Sequence, residues 1–162
     1  MDRQDLKDAQ QFLKALFPVL DGNNRIEVRI LRAGTRKSKS RHFTDDIDDA
    51  AVLAMGASDK GYESYFGVSA RGPKAHGKKH NLTYLTAAFA DVDVGKTYKT
   101  KDEALNVLGD FRPAPSIVVD SGGGLHAYWL LKEPVRFGEW RCREVCFDCQ
   151  QKRSGPCRDC RT

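Results

Sequence analysis

The sequence has no long hydrophobic segment, and its longest unbroken apolar run covers only residues 50–55. A helix that spans a bilayer needs about 20 apolar residues, so we expect no membrane partner. The opening residues, MDRQDLKDAQ, lack the apolar stretch of a secretory signal, which leads us to expect a cytoplasmic protein. Cysteine is absent from the first 141 residues, and all five cysteines lie between Cys142 and Cys160. In a reducing compartment, this cluster favours free thiols or metal ligands over disulfides.

Two stretches of the chain lack acidic residues and are rich in lysine and arginine, namely 36–42 (RKSKSRH) and 71–80 (RGPKAHGKKH). The 162 residues include 27 basic and 22 acidic side chains, a modest net charge of +5, so the positive charge is concentrated locally. Interspersed glycine, serine and proline predict that both stretches are solvated loops. Such loops suit a polyanion such as nucleic acid, although an ordinary surface loop explains either stretch equally well.

Hydrophobic periodicity predicts an α+β fold. Hydrophobic residues make up 40% of the chain, which is enough to form one core. Helices are predicted over 5–17, from a Thr44 N-cap to Gly56, and behind a capping box formed by Thr100 and Glu103. Strands are predicted over 25–33, 62–70, 82–94, 116–121 and 125–131. The order of the elements after residue 60 suggests a sheet with helices on one face.

Two aspartates, Asp91 and Asp93, lie two residues apart near the end of the predicted strand 82–94. Alternate residues of a strand share a face, so both carboxylates would point to the same side. The core side would then be taken by Ala88, Ala90, Val92 and Val94. Carboxylates about 6–7 Å apart along a strand repel each other unless a cation lies between them, and such oxygen ligands suit Mg²⁺ or Mn²⁺. Two solvated acids at an exposed strand end are the alternative interpretation.

A run of three glycines, Gly122, Gly123 and Gly124, stands between Ser121 and His126 in the motif SGGGLH. Glycines let a backbone approach a ligand closely and turn its N–H groups toward a phosphate. The imidazole of His126 would lie on the strand after the turn, where it can donate to a phosphate or orient a metal-bound group. A plain hairpin turn with a half-buried histidine is the alternative, but three glycines exceed what a two-residue turn requires.

The order of these motifs, a strand with FADVDVGK, a helix, a strand and then SGGGLHAYWLL, resembles the catalytic domain of the archaeo-eukaryotic primase superfamily. The similarity is to the primase-polymerases of bacterial plasmids and phages, and it covers residues 1–137. The segment YFGVSARGPKAHGKKHN is also similar to the stretch that leads into the first motif of those proteins. The resemblance implies an RRM-like catalytic core with an N-terminal αβ module, followed here by a short Cys-rich tail.

The resemblance also implies the activity of a DNA-dependent nucleotidyltransferase, a primase or DNA polymerase that replicates a mobile element by a two-metal mechanism. Asp91 and Asp93 match the family's ligands for Mg²⁺ or Mn²⁺, and together with His126 they would be the catalytic residues. Ser121 and His126, with the glycines between them, match the residues that hold the triphosphate of the incoming nucleotide. The implied partners are nucleoside triphosphates and a DNA template, with a replicative helicase as a further candidate.

Other positions of the family pattern have weaker counterparts in this sequence. Lys78 and Lys79 are candidates for nucleotide or template contacts, although no family motif fixes them. The family's third carboxylate lies on a later strand, and Asp148 is the candidate for it here. A chain without that acid would be a non-catalytic nucleotide- or nucleic-acid-binding module of the same fold, or a truncated inactive fragment.

The segment 138–162 differs in composition from the rest of the chain, because its large apolar residues are limited to Trp140, Val145 and Phe147. Two C-x₂-C pairs in this segment have the ligand type and spacing of a structural zinc site. The four ligands would be Cys146, Cys149, Cys157 and Cys160. With zinc, the tail would be a small unit after the domain 1–137, and a zinc-dependent interaction protein becomes a further hypothesis. Free thiols, or a tail that is out of frame or truncated, are the alternatives.

Overall fold

The computed structural model describes residues 2–35, 37–74 and 77–137. Within these ranges the chain forms three α-helices and two antiparallel sheets, which confirms the predicted mixed α+β class. In chain order the elements are α1 (Arg3–Leu16), β1 (Ile26–Arg32), β2 (Ser38–Thr44), α2 (Ile47–Ser58), β3 (Tyr62–Phe66), β4 (Ser69–Arg71), β5 (Leu82–Asp93), α3 (Lys101–Asp110), β6 (Ile117–Asp120) and β7 (Gly124–Arg136). None of these helices is long and apolar enough to cross a membrane.

The tail predicted for 138–162 lies outside the described residues, so the domain boundary at residue 137 stays a prediction. The same holds for the candidate third acid and the candidate zinc ligands, which are Asp148, Cys146, Cys149, Cys157 and Cys160.

The N-terminal part of the chain forms a three-stranded sheet, here called the first sheet, with the strand order β2-β1-β3. Helices α1 and α2 pack on one of its faces, where Ile26 and Val28 of β1 are almost fully buried. Helix α1 begins at an Asp2 cap, whose carboxylate accepts from the Gln4 N–H at 2.8 Å. Strand alternation leaves the intervening residues of β1 on the opposite face, which we call the outer face.

The second sheet has the strand order β4-β5-β7-β6. Strands β5 and β6 are each antiparallel to β7, which lies between them, so β5 and β6 run parallel to each other and α3 connects them. The segment from β5 to β7 is therefore a split β-α-β unit. The predicted N-cap of α3 is confirmed, since the Thr100 hydroxyl accepts from the Glu103 N–H at 3.2 Å. Helix α3 buries Ala104 and Leu108 against β7.

The two sheets are joined at one corner and share a core. Arg25, just before β1, and Arg71 of β4 exchange both backbone hydrogen bonds, at 2.7 and 2.8 Å. Phe12 of α1 packs edge-on against Tyr128 of β7, with ring centroids 5.2 Å apart. Helix α1 thus covers the face of the second sheet that α3 leaves open. The expected placement of helices on one face alone was incomplete, because hydrophobic periodicity within one segment cannot show which distant helix packs on it.

Three sequence-based boundaries were wrong. Most of the basic stretch 36–42 belongs to the edge strand β2 and not to a loop, because an edge strand tolerates charged side chains that hide its strand pattern. The single strand predicted over 62–70 is interrupted near Gly67, and its halves β3 and β4 belong to different sheets. Helix α2 is capped by Asp46 and not by Thr44, and it continues beyond Gly56.

Candidate active site

The two predicted metal-binding carboxylates lie near the end of β5, on one face of the second sheet. Asp91 pairs with His126 of β7 in the strand register, and Asp93 pairs with Gly124. Val92, between the two acids, packs into the cluster beneath α3, so both carboxylates point to the other face as predicted. Their side chains are 63% and 56% exposed, which leaves them accessible to a ligand.

The predicted core side of β5 is covered over only part of its length. Val92 and Val94 pack against the cluster beneath α3, as expected, whereas Ala88 is exposed. The register between β5 and β7 is unbroken from Ala87 to Asp93, so Ala88 lies on the same side as Val92, as predicted. Ala88 is exposed because the cluster beneath α3 does not include it, and alternation alone does not show how far a helix covers a strand.

The face that carries the acids is buried at one end and open at the other. Ala87 and Tyr128 on this face are each 1% exposed, because α1 and the first sheet cover them. His126, the next residue on this face toward the start of β7, already has a side chain that is 27% exposed. The cover therefore ends between Tyr128 and His126, and the acids lie in the open part beside it.

His126 is held between a carboxylate and an aromatic ring. Its Nε2 atom is 3.6 Å from Asp91 Oδ1, which is too long for a hydrogen bond but short enough for an ion pair when the imidazole is protonated. The ring of Phe89 meets His126 edge-on at 5.3 Å and contacts Tyr128 at 5.2 Å. Burial raises the pKa of Tyr128 to about 12, and the negative charge of Asp91 acts in the same direction. Tyr128 therefore stays neutral, and its ring supports Phe89 in this cluster.

The glycine run forms the tight connection between β6 and β7. The Ser121 N–H donates to the Gly124 carbonyl at 3.0 Å, and Gly122 has a φ of +88°, which favours glycine. The Gly122 N–H donates to Asp120 Oδ1 at 2.7 Å. Lys101 Nζ lies 2.7 Å from both carboxylate oxygens of Asp120, and this pairing, followed by the Gly122 N–H, lowers the pKa of Asp120. The Gly122 donor is thus directed to a side chain of this protein.

The third glycine has a packing role. A Cβ atom at Gly124 would collide with the backbone oxygen of Val92 on the neighbouring strand β5. The same atom at Gly123 would meet nothing within 4 Å. Hairpin geometry and strand packing therefore account for Gly122 and Gly124, and the proposed contact of the glycine run with a triphosphate stays a prediction.

We expect Gly124→Ala to destabilise the fold by about 1–3 kcal/mol, because the new methyl group must displace the Val92 backbone. Gly123→Ala is the matched control, since its methyl group would enter open space. Urea unfolding of both variants measures the difference. Equal midpoints would show that β5 and β7 can separate at Gly124 without cost.

The other nucleotide-binding candidates, Lys78 and Lys79, lie at the far end of β5. They precede Leu82, the first residue of the strand, whereas Asp91 lies near its last residue. At about 3.3 Å per residue the two ends are about 30 Å apart, so the structure does not bring these lysines to the carboxylates.

The described residues fit one divalent cation better than two. Asp91 and Asp93 supply two exposed carboxylates on one face, although Asp93 Oδ2 also lies 3.0 Å from Lys96 Nζ. Within the described ranges there is no group of three or more histidine, cysteine, aspartate or glutamate side chains that could hold a metal. Mg²⁺ is commonly held by one or two carboxylates together with substrate phosphates, and this donor set matches that mode.

Sequence reasoning missed a buried carboxylate on the outer face of the first sheet. Glu27 is only 2% exposed, and its two oxygens are paired with Arg41 Nε at 3.0 Å and Arg71 Nη2 at 2.6 Å. Alternation with Ile26 and Val28 places Glu27 on the outer face, but nothing in the local sequence indicates that this position is buried. Phe89 was also missed, although its position two residues before Asp91 already placed it on the same face.

Comparison with known proteins yields one short similarity. Over 56 residues the chain is 38% identical to a replication protein from Clostridium perfringens. The match covers 32% of this chain and 14% of that protein, so the chain spans a small part of the relative that it matches. No family model and no solved structure matches the chain.

Proposed function

We propose that this chain carries the catalytic core of a primase-polymerase that acts in the replication of a mobile element. The observation that supports the proposal best is the convergence of Asp91, Asp93 and His126 on one open face of paired strands. The similarity to a replication protein supports a role in replication. The proposed partners are nucleoside triphosphates and a DNA template, with a replicative helicase as a further candidate.

The topology of the second sheet is consistent with the proposal. In an RRM-like core, a split β-α-β unit supplies three adjacent strands, and here β5, β7 and β6 have that arrangement. The acids lie on the first strand of the unit and the histidine on the central partner of that strand. Strand β4 pairs with the other edge of β5 and completes a four-stranded sheet.

The acidic side chains of the site and its histidine would bind different parts of a metal-nucleotide complex. Asp91 and Asp93 would hold a divalent cation, which supplies positive charge to a triphosphate and lowers the pKa of an attacking hydroxyl when it is bound. His126 lies next to Asp91, and its imidazole can donate a hydrogen bond to a phosphate oxygen of a nucleotide held there. Phe89 meets the imidazole edge-on and is itself packed against Tyr128, which limits the orientations that the imidazole can adopt. The chain thus positions the nucleotide, while the metal supplies most of the charge.

A second candidate function is a nucleotide-binding module without catalysis. It is favoured by the absence of a third carboxylate beside Asp91 and Asp93 in the part of the chain that the structure describes. Two metal ions close together need more anionic ligands than one, so a site with two carboxylates binds a metal-nucleotide complex more readily than it assembles both metals. Primer extension with the full chain in Mn²⁺ separates the two candidates, because only the first predicts that nucleotides are incorporated.

We expect His126→Ala to weaken binding of a nucleoside triphosphate in Mn²⁺ by about 10- to 100-fold, because a hydrogen bond to a charged phosphate contributes about 1.5–3 kcal/mol. Titration of a fluorescent nucleotide measures the effect, and a labelled DNA single strand is titrated in parallel. The same loss for DNA and none for the nucleotide would contradict the assigned role. His42→Ala, in the first sheet, is the matched control.

A further inference from the structure

The two basic stretches of the sequence meet at a single buried carboxylate. Arg41 comes from the first stretch and Arg71 from the second, and each pairs with one oxygen of Glu27. An isolated carboxylate at 2% exposure would be strongly disfavoured, so the two arginines are what allow Glu27 to stay charged there. The arginines are in turn held in one place, and the stretches become neighbours on the outer face of the first sheet.

The segment after Arg71 lies against this ion cluster. Arg71 Nη1 donates to the Lys78 carbonyl at 3.1 Å, and the Gly77 backbone is so close to Arg41 that a side chain there would collide with the guanidinium. The same position lies near Glu27 Oε1. The backbone at Gly77 and Lys78 is thereby held against the ion cluster, and Lys78 and Lys79 are exposed there.

The basic surface continues from Arg41 toward the candidate active site. On the outer face, Arg29 of β1 pairs in register with Arg41 on one side and with Tyr65 of β3 on the other. Arg29 is exposed, and Tyr65 is 47% exposed. Burial, followed by the hydrogen bond to Glu63 and its charge, raises the pKa of Tyr65. The charge of Arg29 lowers this pKa and the charge of Asp91 raises it, so both groups act on the phenol electrostatically. The row therefore ends at Tyr65, whose phenol is within electrostatic range of Asp91.

We propose that this row of Lys78, Lys79, Arg41, Arg29 and Tyr65, the basic-aromatic strip, binds single-stranded DNA and guides it to the candidate active site. Cations in a line suit a phosphate backbone, and an exposed ring suits a stacked base, which is the combination used by proteins that bind single strands. The role of that strand as a template rests on the proposed function, whereas its binding does not. In this proposal Lys78 and Lys79 bind the DNA strand at a distance from Asp91, which agrees with their position at the opposite end of β5.

Acidic groups near the strip limit where DNA can lie. Glu27 is neutralised by its two arginines, but Glu63 lies on the same face and accepts from the Tyr65 hydroxyl at 3.2 Å. Asp91 would repel a phosphate until a divalent cation is bound. The strand is therefore expected to place a base, and not a phosphate, at Tyr65.

The test is a titration of the full chain with a labelled oligothymidylate of about 12 nucleotides, without divalent metal, at several salt concentrations. We expect Tyr65→Ala to weaken binding about tenfold, since stacking on one base contributes about 1–3 kcal/mol. Tyr65→Phe keeps the ring and is expected to bind within about twofold of the wild type. Arg29→Gln should reduce the slope of log affinity against log salt by about 0.7. Lys7→Ala, an exposed cation on α1, is the control for loss of charge away from the outer face.

Two outcomes would contradict the proposal that the strip binds single-stranded DNA. One is that Tyr65→Ala and Arg29→Gln weaken binding no more than Lys7→Ala does. The other is that polyglutamate competes as well as DNA and Tyr65→Ala has no effect, which would indicate an acidic protein partner instead. The proposed function is tested separately by titrating the wild-type chain with nucleotide and Mn²⁺. Failure of that titration, combined with DNA binding that depends on Tyr65, would reject the nucleotidyltransferase and leave the strip intact.

Discussion

Asp91→Asn is expected to reduce metal-dependent nucleotide binding and any nucleotide incorporation by about 100-fold or more. The substitution removes one of the two carboxylates that share the open face, and an amide oxygen is a much weaker ligand for Mg²⁺ or Mn²⁺. The fold should be unaffected, because the Asp91 side chain is 63% exposed. Without metal, the melting temperature should stay the same or rise slightly, since the repulsion between Asp91 and Asp93 is relieved.

Asp110→Asn is the matched control for this variant. Asp110 is exposed and ends α3, which packs on the opposite face of the second sheet. Melting curves and nucleotide titrations of both variants, with and without Mn²⁺, provide the measurement. If Mn²⁺ stabilised Asp91→Asn as much as it stabilises the wild type, the metal site would lie elsewhere.

Glu27→Ala is expected to cause the largest loss of stability, about 3–5 kcal/mol. The carboxylate is 2% exposed, and its removal leaves two arginines facing each other, of which the Arg71 side chain is only 13% exposed. Breaking a buried ion pair from one side costs more than the pair contributes, because the remaining charge stays buried without compensation. The loss should appear as a lower urea midpoint with an unchanged slope.

Two further variants make this prediction specific. Glu133→Ala removes an exposed acid from β7 and should change the free energy of unfolding by less than about 0.5 kcal/mol. Glu27→Gln keeps hydrogen-bond acceptor capacity toward one arginine and should lie between the wild type and Glu27→Ala. A loss below about 1 kcal/mol in Glu27→Ala would mean that water or a neighbouring acid replaces the carboxylate.

Local patterns in the sequence were sufficient for those parts of the fold that depend on a few consecutive residues. The stripe of α1, the alternation through Asp91 and Asp93, and the capping of α3 by Thr100 are of this kind. The hairpin that joins β6 and β7 was also foreseen, as the alternative to a ligand-binding loop. These features are decided by helix periodicity, strand alternation and turn chemistry, which act within one element.

The parts that failed depend on contacts between distant segments. An acid between two apolar residues of β1 looks solvent-exposed until Arg41 and Arg71 are known to converge on Glu27. The edge strand β2 was missed because its charged residues obscure the alternation. The packing role of Gly124 was missed because the close approach of Val92 arises only when β5 and β7 pair, whereas the ligand-binding role of the glycine run stays a prediction.

The insertion of β7 between β5 and β6 has a consequence for synthesis on the ribosome. A nascent chain that has reached Asp120 already contains both acids, α3 and β6, yet β5 and β6 still lack the strand that pairs with each of them. Asp91 and His126 become neighbours only when β7 enters that gap and closes a loop across the whole of α3. Until then the unpaired edges of β5 and β6 can pair with another chain. When the protein is overproduced, we therefore expect chains that are still being synthesised to aggregate more than completed chains do.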